Sequence, residues 1–272
     1  IFLFLGLLLL YFGAEWLVNG ASKLARSIGM SPIAIGLTVV AIGTSSPELM
    51  VSMVSSFKGK SMIAVGNVIG SNICNIGLVL GVAAVLRPMT CHRSVVRREI
   101  PVMLAISVYL LMISLNSTIG RIEGASLLAA TVLYIVFSYI VAMNESRVLL
   151  KIAASRIETE AKPEGLIASR SVQIAMILAG IGGVVVGADL LIDAAVKIMA
   201  VLGVSEKFIG LTVVAFGTSL PELATSIVAV LKKEMDISVG NLVGSNVFNI
   251  IAVLGAASLV RPLQIEGGFF QG

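Results

Sequence analysis

The chain carries little charge. Of its 272 residues, 12% are Asp, Glu, Lys or Arg, against about 25% in a soluble domain. That deficit excludes an ordinary water-soluble fold. There is a single histidine, His92, next to Arg93 in a short loop, and it offers no basis for a metal or proton relay. The two cysteines, Cys74 and Cys91, are too few for a disulfide framework and read as small apolar fillers. No P-loop G-x-x-x-x-G-K-[ST] is present, so nucleotide hydrolysis is not the energy source, and no H-E-x-x-H marks a metalloprotease. The first apolar run has no basic stretch before it and continues through Trp16 and Leu17, unlike a cleaved signal peptide. Beginning at Ile1, it reads as starting inside the first helix.

Apolar residues are abundant. They make up 57% of the chain, and the mean hydropathy is +1.04. A membrane-spanning helix needs roughly 20 mostly apolar residues. Eight such segments are predicted, near 1–25, 32–57, 62–86, 97–115, 120–142, 170–201, 207–231 and 237–260. The fold class is therefore an all-α polytopic membrane protein whose partner is the lipid bilayer. The net charge of +4 points to basic loops kept in the cytoplasm, and nucleic acid is not expected as a partner. The longest polar stretch, 143–169, reads as an exposed linker with room for a short amphipathic helix.

The chain repeats itself. Gly36 to Leu49 returns as Gly210 to Leu223, and Gly66 to Ile76 as Gly240 to Ile250, both 174 positions on. The register holds without a gap from Gly13–Pro88 to Gly187–Pro262, with about half the positions identical. Chance likeness of apolar helices would not align Asn, Ser, Pro and Glu together. The first copy continues past Pro88 through two more helices, whose counterparts would begin near Gly268. The unit is thus five helices, ten in a full protein, with the second copy truncated. The divisions are 1–142 for the first repeat, 143–169 for the linker and 170–272 for the second repeat. Five is odd, so the second copy enters the membrane inverted. Placing the start of the first helix outside puts thirteen basic residues in inner loops against six in outer ones, which makes 143–169 cytoplasmic.

Each copy places one acid beside a proline in an apolar run. Pro47 and Pro221 have no N–H to give the carbonyls of Gly43 and Gly217. Such a break in a span survives only inside protein or at a cavity. Next to it stand Glu48 and Glu222, and a charge near the bilayer centre costs at least about 2.5–3.5 kcal/mol on insertion scales. Thr44 and Ser45 share a helix face with Glu48, and Thr218 and Ser219 with Glu222. Carboxylate, hydroxyl and carbonyl oxygens are hard ligands that suit Ca²⁺ and also Na⁺. A second stripe, Asn67, Ser71 and Asn75, recurs as Asn241, Ser245 and Asn249. These residues provide neutral oxygens for an ion, or else helix–helix hydrogen bonds. Glu15 and Asp189 are matched acids, fit either for an access path or for pairing with Lys23, Lys197 or a lipid headgroup. Glu99 and Glu123 read as interfacial.

The paired G-T-S-x-P-E-L and G-S-N-x-x-N segments resemble the two alpha repeats of the calcium/cation antiporter superfamily, and most of all its prokaryotic sodium/calcium exchangers. The resemblance implies antiparallel halves and cation sites between helices 2, 3, 7 and 8, across which helices 1 and 6 slide. It implies Glu48 and Glu222 as central ligands. Oxygens from Thr44, Ser45, Thr218, Ser219, Ser71, Asn75, Ser245 and Asn249 would join them, with the carbonyls of Ala41 and Ala215. Many of these exchangers have Asp where this chain has Asn249, so the site here holds two carboxylates instead of three. The expected function is secondary antiport of Ca²⁺ against Na⁺, without a cofactor. Exchange coupled to H⁺ or dependent on K⁺ is the alternative within transport. A passive channel and an intramembrane enzyme are the other classes, and the enzyme lacks a matching signature.

Overall fold

The structure, a computed structural model, describes residues 2–88, 93, 95–156, 169–201 and 216–265. In chain order it contains α1 (Phe2–Ile28), α2 (Pro32–Thr44), α3 (Ser46–Phe57) and α4 (Ser61–Leu86). A π-helical turn, Val95–Glu99, leads into α5 (Ile100–Ile113), followed by strand β1 (Thr118–Ile119) and α6 (Arg121–Arg156). Then come α7 (Arg170–Val201), α8 (Leu220–Leu231), α9 (Met235–Val260) and β2 (Leu263–Gln264). Among the described residues, five helices are long and apolar enough to cross a membrane, and six if the bent pair α2–α3 counts as one span. The predicted segments correspond to these helices. The start of the seventh, 207–215, lies outside the described residues, as do Cys91 and His92.

One boundary differs from the expectation. The stretch read as linker from 143 begins as helix, because α6 runs on to Arg156. Residues 143–156 contain neither Gly nor Pro and are rich in good helix formers, so nothing stops the helix where the apolar run ends. Glu99, at the helix end beside Arg98 as expected, is buried in the protein: Arg98 Nε donates to its Oε1 at 2.7 Å, and the Tyr134 hydroxyl lies 3.4 Å from its Oε2.

The halves are inverted, and the packing of α1 on α7 displays it. Gly6 faces Gly187, Gly13 faces Gly180 and Val184, and Gly20 faces Gln173 and Ile177. Along α1 the partner number falls as the residue number rises, so the two helices are antiparallel. They are also repeat equivalents. Two equivalent helices that run antiparallel are related by a two-fold axis perpendicular to both, which lies in the membrane plane. Glycines seven apart make the seam. A Cβ on Gly13 would come within 2.6 Å of the Val184 backbone nitrogen, so close approach needs the missing side chain.

The turn after α3 contrasts with its counterpart. Gly59 takes φ +74°, where glycine is unstrained, while Lys233 takes φ +64° at the equivalent place after α8. A two-stranded ribbon, Thr118 against Gln264 and Ile119 against Leu263, ties the entrance of α6 to the end of α9. Arg261, just before this ribbon, lies against Gly59. The ends of α3, α5 and α9 thus share one membrane face.

Candidate cation site

The bend between α2 and α3 is 44° and falls at Ser45, whose φ and ψ are −83° and 9°. Pro47 then sits in the first turn of α3, where its missing N–H leaves no helical bond unmade. Ser219, at −86° and 3°, repeats this before α8, with Pro221 in its first turn. The break brings Glu48 and Glu222 into the first turns of two helices, where the N-terminal dipole favours an anion. Both carboxylates are fully buried.

Each acid has one oxygen held and one free. Ser71 Oγ donates to Glu48 Oε1 at 3.2 Å, and Ser245 Oγ to Glu222 Oε1 at 3.3 Å. Ser45 Oγ crosses to Glu222 Oε1 at 2.9 Å. The Oε2 atoms of both acids are buried and have no hydrogen-bond partner. The same holds for Asn75 Oδ1, Asn249 Oδ1 and Ser219 Oγ. Unpaired buried oxygens are costly. Four such oxygens belong to the two acids and the two Asn, all from the predicted set, and are of the hard type that ligates Ca²⁺ or Na⁺. Asn75 and Asn249 each begin a π-helical stretch, Asn75–Val79 and Asn249–Leu254, a distortion frequent at functional sites.

Not every predicted residue has the same place. Asn67 Nδ2 donates to the Glu48 carbonyl at 3.2 Å and to Ser52 Oγ at 3.0 Å, while its Oδ1 accepts from Thr218 Oγ1 at 3.2 Å. Asn67 therefore ties helices together. Thr44 Oγ1 lies 3.1 Å from Asn241 Oδ1, the mirror of the Thr218 contact. Ala41's carbonyl accepts the Ser45 N–H at 3.0 Å, and Thr44 Oγ1 lies 3.4 Å from it. Ala215 lies outside the described residues. Two residues escaped the sequence reading, Asn72 and Asn246. Asn75 Nδ2 donates to Asn246 Oδ1 at 3.2 Å, and Asn249 Nδ2 to Asn72 Oδ1 at 3.0 Å. Their recurrence in both copies was the available signal, but they fall off the polar stripe.

The two sides of the site are packed unequally. A cavity of about 290 Å³ lies between α3 and α7, lined by Ser46, Pro47, Met50, Asp189, Ile192 and Thr218 among others, and Asp189 is exposed. Four of the equivalent positions in the other copy, Leu220, Pro221, Val18 and Thr44, are buried. There Glu15 pairs with Lys232 at 2.8 Å, and not with Lys23, one of the partners that the sequence left open. Nearby, Arg26 and Ser22 both reach Glu234, at 2.7 and 2.5 Å. Among the described residues no group of three or more His, Cys, Asp or Glu could hold a metal ion.

The family model described as "Sodium/calcium exchanger protein" matches residues 1–141 and 172–270. The chain is 40% identical over 266 residues to the inner membrane protein YrbG of Escherichia coli, covering 97% of this chain and 80% of that one. It is 38% identical to the putative antiporter CaxA of Alkalimonas amylolytica, over 98% of this chain and 82% of the relative. Sodium/calcium exchanger MaX1 of Methanosarcina acetivorans is 31% identical, with 97% and 83% covered. The solved structure of the sodium-calcium exchanger NCX_Mj, soaked with 10 mM Na⁺ and 10 mM Sr²⁺, superposes with a TM-score of 0.83 at 35% identity, over 97% of this chain and 83% of that one.

Proposed function

The chain belongs to the sodium/calcium exchanger family, and on that premise we propose that Glu48 and Glu222 bind the cations it moves. It is an integral membrane antiporter that exchanges Ca²⁺ for Na⁺ by alternating access. The observation that carries the site is the pair of fully buried carboxylates, each with one oxygen held by hydroxyls and the other unpaired. Ser71, Asn75, Ser245 and Asn249 complete the cation shell from α4 and α9, with Thr44, Ser45, Thr218 and Ser219 at the two helix breaks. The carbonyls of Ala41 and Ala215 are its backbone members.

Exchange follows from the cost of the bare acids. Each ionised carboxylate costs at least about 2.5–3.5 kcal/mol near the bilayer centre on insertion scales. Two of them closed off together, without a cation, make the empty carrier slow to turn over. A bound Ca²⁺ cancels both charges, and Na⁺ ions compete for the same hard oxygens. The carrier therefore returns loaded, and one gradient drives the other.

The two repeats are 1–142 and 170–272, joined by 143–169. With basic loops inward, the linker is cytoplasmic and the cavity beside Asp189 is the outer access path. The Glu15–Lys232 side is then the closed inner one. The host membrane is the inner membrane of a prokaryotic cell, as the name of the Escherichia coli relative suggests.

Reconstituted vesicles loaded with Na⁺ and diluted into Ca²⁺ medium test the function. Uptake that follows the imposed Na⁺ gradient, and is indifferent to K⁺ and pH gradients, is the expected result. Uptake that ignores Na⁺ and follows K⁺ or pH overturns the coupling, and unitary currents without counter-ion dependence overturn antiport itself.

A further inference from the structure

An amide side chain is ambiguous toward a cation. Its oxygen ligates, whereas its NH₂ repels. Asn249 and Asn75 can serve as ligands only if something fixes which end faces the ion. The hydrogen bonds around Asn72 supply that constraint. Asn72 Nδ2 lies 3.1 Å from the backbone oxygen of Asn246. A main-chain carbonyl only accepts, so the NH₂ end of Asn72 must face it. Asn72 Oδ1 is then turned the other way, onto Asn249 Nδ2 at 3.0 Å. That oxygen accepts only, so Asn249 must present its NH₂ and turn its own Oδ1 away. This Oδ1 is buried and has no other partner. It belongs to a residue one turn beyond Ser245, which touches Glu222.

The inverted copy repeats the device with a softer anchor. Asn75 Nδ2 donates to Asn246 Oδ1 at 3.2 Å, and Asn246 Nδ2 faces Met103 Sδ at 3.8 Å. Thioether sulfur is a weak acceptor. Asn75 Oδ1 is again buried and unpaired. Asn72 and Asn246 lie on α4 and α9, and each orients the ligand residue of the other helix.

We propose that Asn72 and Asn246 are positioning residues, which hold the amides of Asn249 and Asn75 with their oxygens toward the cation and so set its affinity. The inference rests on the cation-site reading above. It adds that the two amide ligands of this two-acid site are each oriented by a hydrogen-bond relay between α4 and α9, anchored on the Asn246 carbonyl for Asn249 and on Met103 Sδ for Asn75.

The test is a double-mutant cycle read by Ca²⁺ uptake in reconstituted vesicles. Asn72→Leu keeps the branched outline of the side chain, with a larger volume, and removes the relay. It is expected to raise the KM for Ca²⁺ about tenfold, as for the loss of a hydrogen bond at a charged site, with the maximal rate changed less than about twofold. Asn246→Leu, on the softer anchor, should have a smaller effect. In an Asn249→Asp background the same Asn72→Leu change should shift KM by less than about twofold, because a carboxylate offers oxygen at both ends and needs no orientation. If Asn72→Leu does not yield folded protein, Asn72→Ser is read in the same way. An equal KM increase in both backgrounds, or no increase in either, overturns positioning. Glu222→Gln measured alongside separates the two readings: if it leaves KM unchanged, the cation site falls and the relay with it. If Glu222→Gln raises KM and Asn72→Leu does not, only the relay falls.

Discussion

Ser45 Oγ donates to Glu222 Oε1 at 2.9 Å, so a hydroxyl of the first repeat holds the acid of the second. Its counterpart Ser219 Oγ is buried without a partner. The two acids, equivalent in sequence, are thus held unequally. A cavity lies beside Asp189, whereas its repeat equivalent Glu15 is paired with Lys232.

Removing the Ser45 hydroxyl should therefore matter more than removing its mirror. A hydrogen bond to a charged group contributes about 1.5–3 kcal/mol. Ser45→Ala is expected to weaken equilibrium Ca²⁺ binding about tenfold, and Ser219→Ala less. Titration with radiolabelled Ca²⁺ in detergent checks the order, and equal losses would contradict it.

Neutralising either acid should do the most damage. Glu48→Gln or Glu222→Gln leaves one buried charge to face a divalent ion, and breaking such a buried arrangement costs about 3–5 kcal/mol. Each variant is expected to lose at least about 100-fold in Ca²⁺ affinity at unchanged expression. Near-normal uptake by either would falsify its place at the ion.

Asn249→Asp adds a third carboxylate beside Glu222. More negative charge favours loading of several Na⁺ at once, so the Na⁺ dependence of Ca²⁺ uptake should become steeper or shift to lower Na⁺. Superimposable Na⁺ curves for the variant and the parent protein would mean that position 249 does not touch the ion.

The Glu15–Lys232 pair closes one side while leaving both side chains about 30% exposed. An ion pair that wet stabilises by less than about 1 kcal/mol, enough to bias two conformers but not to bind the cation. Lys232→Gln is expected to change the maximal exchange rate severalfold with little change in Ca²⁺ KM. A KM change at constant rate would assign the pair to binding instead.

Lys233 occupies the left-handed turn that its repeat equivalent fills with Gly59. The conformation costs a side chain about 1–2 kcal/mol. Lys233→Gly should raise the thermal midpoint of the purified protein by a few degrees without altering transport, and a lowered midpoint would show that the lysine side chain stabilises more than its backbone costs.

The sequence by itself determined the membrane class, the repeat and the acids. Low charge and long apolar runs leave only a helical membrane protein, since hydrocarbon forbids unpaired backbone. The 174-position register placed Glu48 and Glu222 in matching breaks, because proline and glycine act locally on the chain. Face-sharing of Thr44 and Ser45 with Glu48 followed from helical spacing alone. Tertiary structure decided which side chains meet across the repeats. Spacing does not tell that Ser45 reaches Glu222, that Glu15 takes Lys232 over Lys23, or that Asn67 spends its amide on Glu48's backbone, Ser52 and Thr218. Ser45–Glu222, Glu15–Lys232 and Thr218–Asn67 join elements far apart in sequence, and Asn67 meets Glu48 and Ser52 across two neighbouring helices. Asn72 and Asn246 were visible as repeated residues, yet their role needed the crossing of α4 and α9. Only that crossing puts a main-chain carbonyl within 3.1 Å of an amide and so determines which way the oxygen of Asn249 points.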